Sequence, residues 1–275
     1  MIAYKDSKMN EKIEKFLKEN SQDGFISMLT CKECMKQFSL NLPSVEKKAF
    51  ELGISPLRYK RNQTSISVEN QFKLFNAHVA IIGCGGLGGH IAENLARLGV
   101  GNLRLFDFDV FEEHNLNRQN FSHFGVLGKE KALVVKEGCE RINPALHVKA
   151  FVQKFDVQKD FGLIEDCDVI IDALDDPQIK LELSFTCKDK KKDFIHGAIA
   201  GFNTQHASCI SLEHLYKNGS KGIETSVGNP AFTVSFAASL QSLECVKLIL
   251  GLKENLEGKI LLCNLLENEF ILLDN

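Results

Sequence analysis

The sequence predicts an open α/β fold, doubly wound around a mainly parallel sheet, and three observations predict it. A short apolar run over 78–82 leads directly into the glycine loop Gly83-Cys-Gly85-Gly86-Leu-Gly88-Gly89 and then into a helix-like stretch. From there to about residue 200, strand-like and helix-like runs alternate, which is the pattern of parallel βαβ units with helices on both faces. The end of the chain, KILLCNLLENEFILLD, reads as two strands about a Glu-Asn turn and adds antiparallel strands at one edge. The glycine motif between strand and helix makes the arrangement Rossmann-like.

Residues 1–56 are polar and helical in pattern: NEKIEKFLKEN, FISMLTCKECMKQF and PSVEKKAFELGI carry apolar residues at three- and four-residue spacings. Asp23-Gly24 and Pro43 interrupt them, so two or three short helices are expected, as a subdomain, a dimerisation arm or a partner-docking surface. Cys31-Lys-Glu-Cys34 is a C-x-x-C pair, but structural zinc takes four ligands and no second C-x-x-C or C-x-x-H exists. On a helix the two thiols share one face, so zinc is not expected. Pro56-Leu-Arg-Tyr-Lys-Arg-Asn62 is a basic cluster whose plain reading is a solvated linker. Ser67 and Asn70 offer starts for a short amphipathic helix before the first strand.

The core then runs in order. Strand 78–82 passes through the glycine loop into helix 86–98, which Gly99 and Gly101 close by a left-handed cap. Strand 102–106 ends at Asp107-Phe-Asp109, and a helix over 129–142 stops at Asn143-Pro144. Strand 147–152, a helix near 158–165 and strand 168–173 follow, and Leu174-Asp175-Asp176 opens a helix over 177–189. Strands 194–200 and 206–211 precede a polar, glycine-containing loop over 212–229. Helix 231–250 is apolar almost all round, as a helix buried in the core or in a dimer interface would be. The division expected is a helical extension over 1–56 and an α/β domain over 57–275.

Length and composition suit this plan: 275 residues, 44% apolar and 25% charged, fit one large domain with a small appendage. A net charge of -3 gives no overall basic field to recruit nucleic acid. Nine scattered cysteines suit reduced thiols rather than a disulfide framework. The first residues lack the apolar core of a signal peptide, and no run of roughly 18 apolar residues occurs, so a cytoplasmic protein outside the membrane is expected.

The glycine loop places backbone N–H groups at a helix N-terminus, where phosphate binds. Asp107 lies 19 residues beyond Gly88 at the end of the second strand, the position of an acid that holds ribose hydroxyls. Up to this point an NAD-binding domain fits equally well. The loop Asn115-Leu-Asn117-Arg118-Gln119 then sets amides and a guanidinium beside that acid, Lys131 follows 13 residues after Arg118, and Asp175 and Asp176 follow the fourth strand. A dinucleotide needs no metal, whereas a triphosphate carries about four charges and a divalent ion held by one or two carboxylates. Singly, Lys131 reads as a solvated helix residue, Arg118 as a surface cation and Asp175 as a helix cap. Together at one sheet edge they favour ATP.

The motifs RYKRN (58–62), GCGGLGG (83–89), DFDVFEEHNLNRQ (107–119), GKEK (128–131), DALDD (172–176) and GNPAFTVSFAASLQSLECVKLILG (228–251) together resemble the ThiF/MoeB/HesA family, prokaryotic relatives of the ubiquitin-activating enzymes. The resemblance runs from about Arg58 to the C-terminus. It implies an adenylyltransferase that uses ATP and Mg²⁺ to activate the C-terminal glycine of a ubiquitin-like sulfur carrier ending in Gly-Gly, in molybdopterin, tungstopterin or thiamine biosynthesis. By motif, Gly83, Gly85, Gly86 and Gly88 cradle the nucleotide, Asp107 holds its ribose, Asp109 is a further nucleotide-binding residue, Asn115, Arg118, Gln119 and Lys131 contact phosphates, and Asp175 binds Mg²⁺. Arg61, the second arginine of R-Y-x-R, reaches the phosphates from the neighbouring subunit, which implies a homodimer. The chain departs from many relatives in lacking two zinc-binding C-x-x-C pairs and the cysteine in the loop 212–229 that forms a thioester or persulfide. Adenylation without zinc and without a covalent carrier–enzyme thioester is therefore expected. Three alternatives remain at this stage: a tRNA threonylcarbamoyladenosine dehydratase of the same superfamily, an NAD-linked dehydrogenase, and a non-catalytic dimeric binding module.

Overall fold

In the computed structural model, an eight-stranded mixed sheet is sandwiched between two helical layers; residues 2–213, 215–216 and 227–274 are described, with side chains from residue 8 onward. Of the loop expected over 212–229, residues 214 and 217–226 lie outside the described residues.

Three helices, α1 (Ile2–Glu19), α2 (Met28–Phe38) and α3 (Leu42–Glu51), form the N-terminal region, the first longer than its pattern implied. Ser27 and Asn41 cap α2 and α3 by accepting from Thr30 N and Ser44 N. Two short strands that periodicity did not reveal, β1 (Phe25–Ile26) and β2 (Ser55–Pro56), pair in parallel and tie the two ends of this region together. Its core comprises Ile13, Leu17, Ile26, Cys31, Cys34, Val45 and Ala49, and Ala145 of the main body closes it. Cys31 and Cys34 are fully buried neighbours on one face of α2, where burial pushes the Cys31 thiol up to about 12.

The basic stretch is not a solvated linker. Arg58 forks onto the Glu46 carboxylate of α3, with Nη1 2.7 Å from Oε1, and Glu46 has no exposure to solvent. Tyr59 is buried, and its hydroxyl accepts from Asn143 Nδ2 at 2.8 Å. The Glu46–Arg58 ion pair thus joins the helical region to the stretch after it, and Tyr59 ties that stretch in turn to Asn143 of the sheet domain.

The domain continues with α4 (Val68–Asn76), β3 (His78–Ile82), α5 (Gly86–Leu98), β4 (Asn102–Phe106), α6 (Lys131–Ile142), β5 (His147–Phe151), α7 (Val157–Asp160), β6 (Val169–Asp172), α8 (Pro177–Asp189), β7 (Asp193–Ala200), β8 (Asn203–Ser208), α9 (Ala231–Leu250), β9 (Lys259–Asn264) and β10 (Glu269–Asp274). Strand order is β10-β9-β8-β7-β6-β3-β4-β5, with β7, β6, β3, β4 and β5 parallel and the other three antiparallel. Alternate residues of β3 face opposite layers: Val79 and Ile81 join the cluster under α5, α6 and α9, while Ala80 and Ile82 join the one under α7 and α8.

Three sequence expectations need correction. The helix near 158–165 is a four-residue α7 followed by a 3₁₀ turn over Phe161–Leu163. Strand β8 lies at 203–208 rather than 206–211, because the tight turn at Gly201-Phe202 pairs Ala200 with Asn203. Only Gly99 (φ +84°) is the left-handed cap of α5; Gly101 is required because a Cβ there would stand 1.8 Å from the Phe75 carbonyl oxygen. Helix α9 is long and apolar enough to cross a membrane by length and composition, yet it packs on α5, β7 and β8 and buries Val234, Ala237, Ala238 and Cys245 completely.

Candidate functional site

Register brings the functional residues to one edge. Ile82 of β3 pairs with Phe106 of β4 and with Asp172 of β6, so Gly83, Asp107 and Ala173 emerge side by side at the carboxyl ends of the strands. The chain order reverses at β3, whose neighbours β4 and β6 lead in opposite directions; an open α/β sheet binds ligands in the crevice at that switch point. A cleft of about 440 Å³ opens there.

The glycines are needed for close approach. Gly83 has φ +102°, and a Cβ on it would lie 2.5 Å from the Ala173 carbonyl oxygen; a Cβ on Gly88 would lie 1.8 Å from the Gly83 oxygen. The loop is thereby folded tightly enough to aim the first turn of α5 at the cleft. Gly89 is the first α5 residue to donate back, to Gly85 O at 3.0 Å, so the earlier N–H groups lack partners within the helix. Asp107 holds the loop in place: Oδ2 accepts from Cys84 N at 2.7 Å and Oδ1 from Asp109 N at 2.8 Å. Burial raises the Asp107 carboxyl above the usual range, and the two N–H donors and Lys131 oppose that rise.

The Asn-Arg-Gln loop forms the facing wall. Asn115 is buried in a 3₁₀ turn and accepts from Glu112 N at 2.9 Å, while the Glu112 side chain caps the turn in return. Arg118 rests on His114 O (3.1 Å) and Asn117 Oδ1 (2.7 Å), and the His90 ring stands 3.2 Å from its carbonyl oxygen. Gln119 is 7% exposed, lines the cleft, and its Oε1 is a buried acceptor without a partner among the described residues. Lys131 opens α6 and reaches Asp109 at 3.0 Å, its side chain 8% exposed; it is a buried cleft residue, not a solvated one.

Opposite, Asp176 and not Asp175 caps α8, accepting from Gln178 N (2.9 Å) and Ile179 N (3.3 Å). Asp175 is exposed, lines the cleft, and has no hydrogen bond or ion pair among the described residues. Eleven of the twelve residues singled out in the sequence converge here, either lining the cleft or, for Gly88, folding its loop. Arg61 does not: it is exposed in the turns after β2 and does not line the cleft.

The sequence reading missed several residues. Gln153, Lys154 and Phe155 line the cleft after β5, and Asn229 lines it before α9 with its own Oδ1 buried and without a partner among the described residues. Most conspicuously, Asp172, Lys180 and His196 form a buried charged cluster, of which Lys180 lines the cleft. Lys180 five residues after Asp175 was the available signal for it. Among the described residues no group of three or more His, Cys, Asp or Glu could hold a metal by itself.

Comparison with known proteins adds the following. The ThiF family model matches residues 59–274. The molybdopterin-synthase adenylyltransferase of Haemophilus influenzae is 32% identical over 217 residues, 75% of this chain and 89% of that protein. The Escherichia coli enzyme of the same name is 29% identical over 226 residues, 78% of this chain and 90% of that one. The chain spans only 50% of the adenylyltransferase and sulfurtransferase MOCS3 of Xenopus laevis, to which it is 28% identical. Among solved structures, E. coli MccB with ATP superposes with a TM-score of 0.69 at 25% identity, covering 87% of this chain and 78% of that one. MccB with MccA-N7isoASN gives 0.70 at 20% identity, over 90% of this chain and 79% of that one.

Proposed function

The chain belongs to the ThiF family, and from that membership we propose that it adenylates the C-terminal carboxylate of a ubiquitin-like sulfur carrier ending in Gly-Gly, releasing pyrophosphate. The observation that carries this reading is the convergence on one switch-point cleft of a helix N-terminus whose first N–H groups have no partner within the helix, Arg118, Lys131 and an Asp175 uncommitted among the described residues. A pyrophosphate-bridged dinucleotide has no use for the last of these.

The cleft suits ATP. Gln119 Oε1 and Asn229 Oδ1 are buried acceptors without partners among the described residues, and the glycine loop leaves no Cβ between its N–H groups and a phosphate. Asp107 stands where a ribose hydroxyl can share its remaining lone pairs. Asp175 supplies a hard oxygen ligand of the type Mg²⁺ prefers; when bound, that ion neutralises charge on the triphosphate. The acyl nucleophile, a terminal carboxylate with a reference pKa of about 3.5, is already ionised and needs no general base. What the protein contributes is alignment of one anion with another and stabilisation of the departing pyrophosphate, tasks for Arg118 and Lys131. For Arg118 the step entails exchanging its contacts at His114 O and Asn117 Oδ1 for phosphate oxygens. Arg61 lies outside its own cleft, which supports its acting from a second copy in a homodimer. The same reading takes residues 1–56 as an accessory extension, places the protein in the cytoplasm, and involves neither zinc nor a thioester to the enzyme.

A peptide carboxylate is the second reading. The superposition over 90% of this chain exceeds residues 59–274, so it takes in part of the N-terminal helices, and MccB has been solved with N-formylated MccA. ATP–pyrophosphate exchange tests both. Exchange dependent on a Gly-Gly-ended carrier supports the first reading, exchange dependent on a peptide supports the second, and exchange dependent on modified tRNA displaces both. Tight NAD binding with no ATP binding would refute adenylation altogether. A thiol-sensitive adduct formed from enzyme, carrier and ATP would refute the absence of a thioester.

A further inference from the structure

Strand β6 ends in Asp172, a carboxylate with no exposure to solvent. Three elements compensate it. Lys180, from the first turns of α8, places Nζ 3.1 and 2.9 Å from its two oxygens. His196 of β7, its partner in the strand register, places Nδ1 2.8 Å from Oδ2, and Leu174 N donates to Oδ1 at 3.0 Å. The third Lys180 proton goes to Gly197 O at 3.2 Å, so the ammonium has no donor left for a ligand although it lines the cleft. It is not a phosphate clamp. With Asp172 ionised, His196 gives Nδ1–H to the carboxylate and turns Nε2 toward the Tyr216 hydroxyl at 3.4 Å.

A buried ion pair is weak evidence for stability, because apolar residues of similar volume do as well or better. Its position gives a better account of its presence. Asp172 lies three residues before Asp175 and Lys180 five after, so one ion pair brackets the turn that presents Asp175. The rest of that turn is pinned as well: Gln241 Nε2 donates to Asp172 O at 2.8 Å, Ala173 N to Ile82 O at 2.9 Å, and the Asp176 side chain caps α8. From Asp172 to Asp176, Asp175 is the one acid whose side chain is uncommitted among the described residues.

We propose that Lys180 is a positioning residue for the divalent cation: by holding Asp172 it fixes the 172–176 turn so that Asp175 alone, and not the neighbouring Asp172, is offered to an ion bound with the nucleotide. This rests on the adenylation reading of the cleft. Lys180 touches neither nucleotide nor ion and acts through Asp172, so its removal weakens the cation and leaves the nucleotide contacts at the glycine loop and Arg118 in place.

The test uses the full chain with Mn²⁺ as the probe, free Mn²⁺ being followed by electron paramagnetic resonance in the presence of saturating ATP. ATP binding in EDTA is measured alongside by calorimetry. K180M is expected to bind ATP in EDTA within threefold of wild type while its ATP complex binds Mn²⁺ at least tenfold more weakly, and K180R is expected to restore Mn²⁺ binding to within threefold. Should K180M fail to fold, D172N/K180M removes the unpaired buried charge and is expected to show Mn²⁺ weakened at least fivefold at wild-type thermal stability. Unchanged Mn²⁺ affinity in whichever variant folds overturns the proposal, as does K180R behaving like K180M. Wild-type protein that binds no ATP overturns the reading of the cleft itself and is recognised before any variant is made.

Discussion

Asp107 is the residue whose replacement separates the scaffold of the nucleotide cleft from its chemistry. Its carboxylate accepts two backbone N–H groups, Cys84 at 2.7 Å and Asp109 at 2.8 Å, and the two donors differ in surroundings. Cys84 is fully buried, whereas Asp109 is exposed and its N–H can turn to water. D107A therefore strands one buried donor, at a cost of about 1–3 kcal/mol. D107N keeps a carbonyl oxygen for Cys84 N and sets its amide against the exposed Asp109 N–H. Burial raises the native carboxyl, so its contribution is fullest below the unfolded pKa and falls away as pH rises through the folded one. Near pH 7.5 a neutral isostere thus recovers part of what it loses, and D107N is expected to cost about 1 kcal/mol or less. Urea denaturation at pH 7.5 reads both values. Calorimetry with ATP is expected to show at least a tenfold loss for each variant, because both lack the anionic acceptor for ribose. D107A as stable as wild type would refute the anchoring role; D107N binding ATP normally would refute the ribose role.

Other outcomes follow from the same geometry. Arg118→Ala, Lys131→Ala and Asp175→Ala are each expected to slow ATP–pyrophosphate exchange by about 10²-fold, the scale of a lost preorganised electrostatic contact; near-normal rates in all three would dismiss the site. Burial holds His206 down to about 3, with Nδ1 lacking a partner among the described residues, so the unfolded chain takes up a proton below about pH 6.5 that the folded chain refuses. Stability is then present above pH 6.5 and falls as pH drops, by about 1 kcal/mol from this residue between pH 6.5 and 5.5, and urea melts of H206L over that interval should show that much less loss. Arg58→Met leaves Glu46 buried without its cation and is expected to cost about 3–5 kcal/mol, while E46Q/R58M recovers most of it in a double-mutant cycle; additive losses would mean that the pair does not couple.

What was legible in the sequence was local. The glycine loop, Asp107, the Asn-Arg-Gln run and Lys131 sit within one continuous run from β3 to the start of α6, where spacing alone determines which edge they reach. Helices α5, α8 and α9 were readable because Pro, Gly and capping acids mark their ends. Strand β8 was not, since NTQHAS has no apolar rhythm: of its buried residues Thr204, His206, Ala207 and Ser208 three are polar, and Thr204 and His206 bond to each other at 2.9 Å. The Asp172–Lys180–His196 cluster was hidden for a different reason. It depends on the Asp172–His196 register and on the direction in which α8 leaves β6, neither of which is a property of any one segment. The choice between Asp175 and Asp176 as helix cap was equally invisible, because adjacent acids satisfy the capping preference alike.

Arg61 poses the sharpest geometric question, and the fold narrows it. Tyr59 is pinned by Asn143, and Asn62 is held by Gln71, with Nδ2 to Oε1 at 3.0 Å. Arg61 lies between these two anchors, exposed and outside the residues that line the cleft of its own chain. The proposed role at the phosphates is one supplied from a second subunit, and complementation distinguishes this from no role. R61A and D175A are each expected to be nearly inactive. In a twofold dimer formed by mixing them, the site that keeps Asp175 receives its arginine from the other chain, while the second site lacks both. With random reassociation half the dimers are mixed and each carries one complete site, so about a quarter of wild-type activity should return. Pyrophosphate exchange after co-refolding the two variants measures it. No recovery would place Arg61 and Asp175 in the same site of one chain, and full activity of R61A alone would remove the arginine from the reaction.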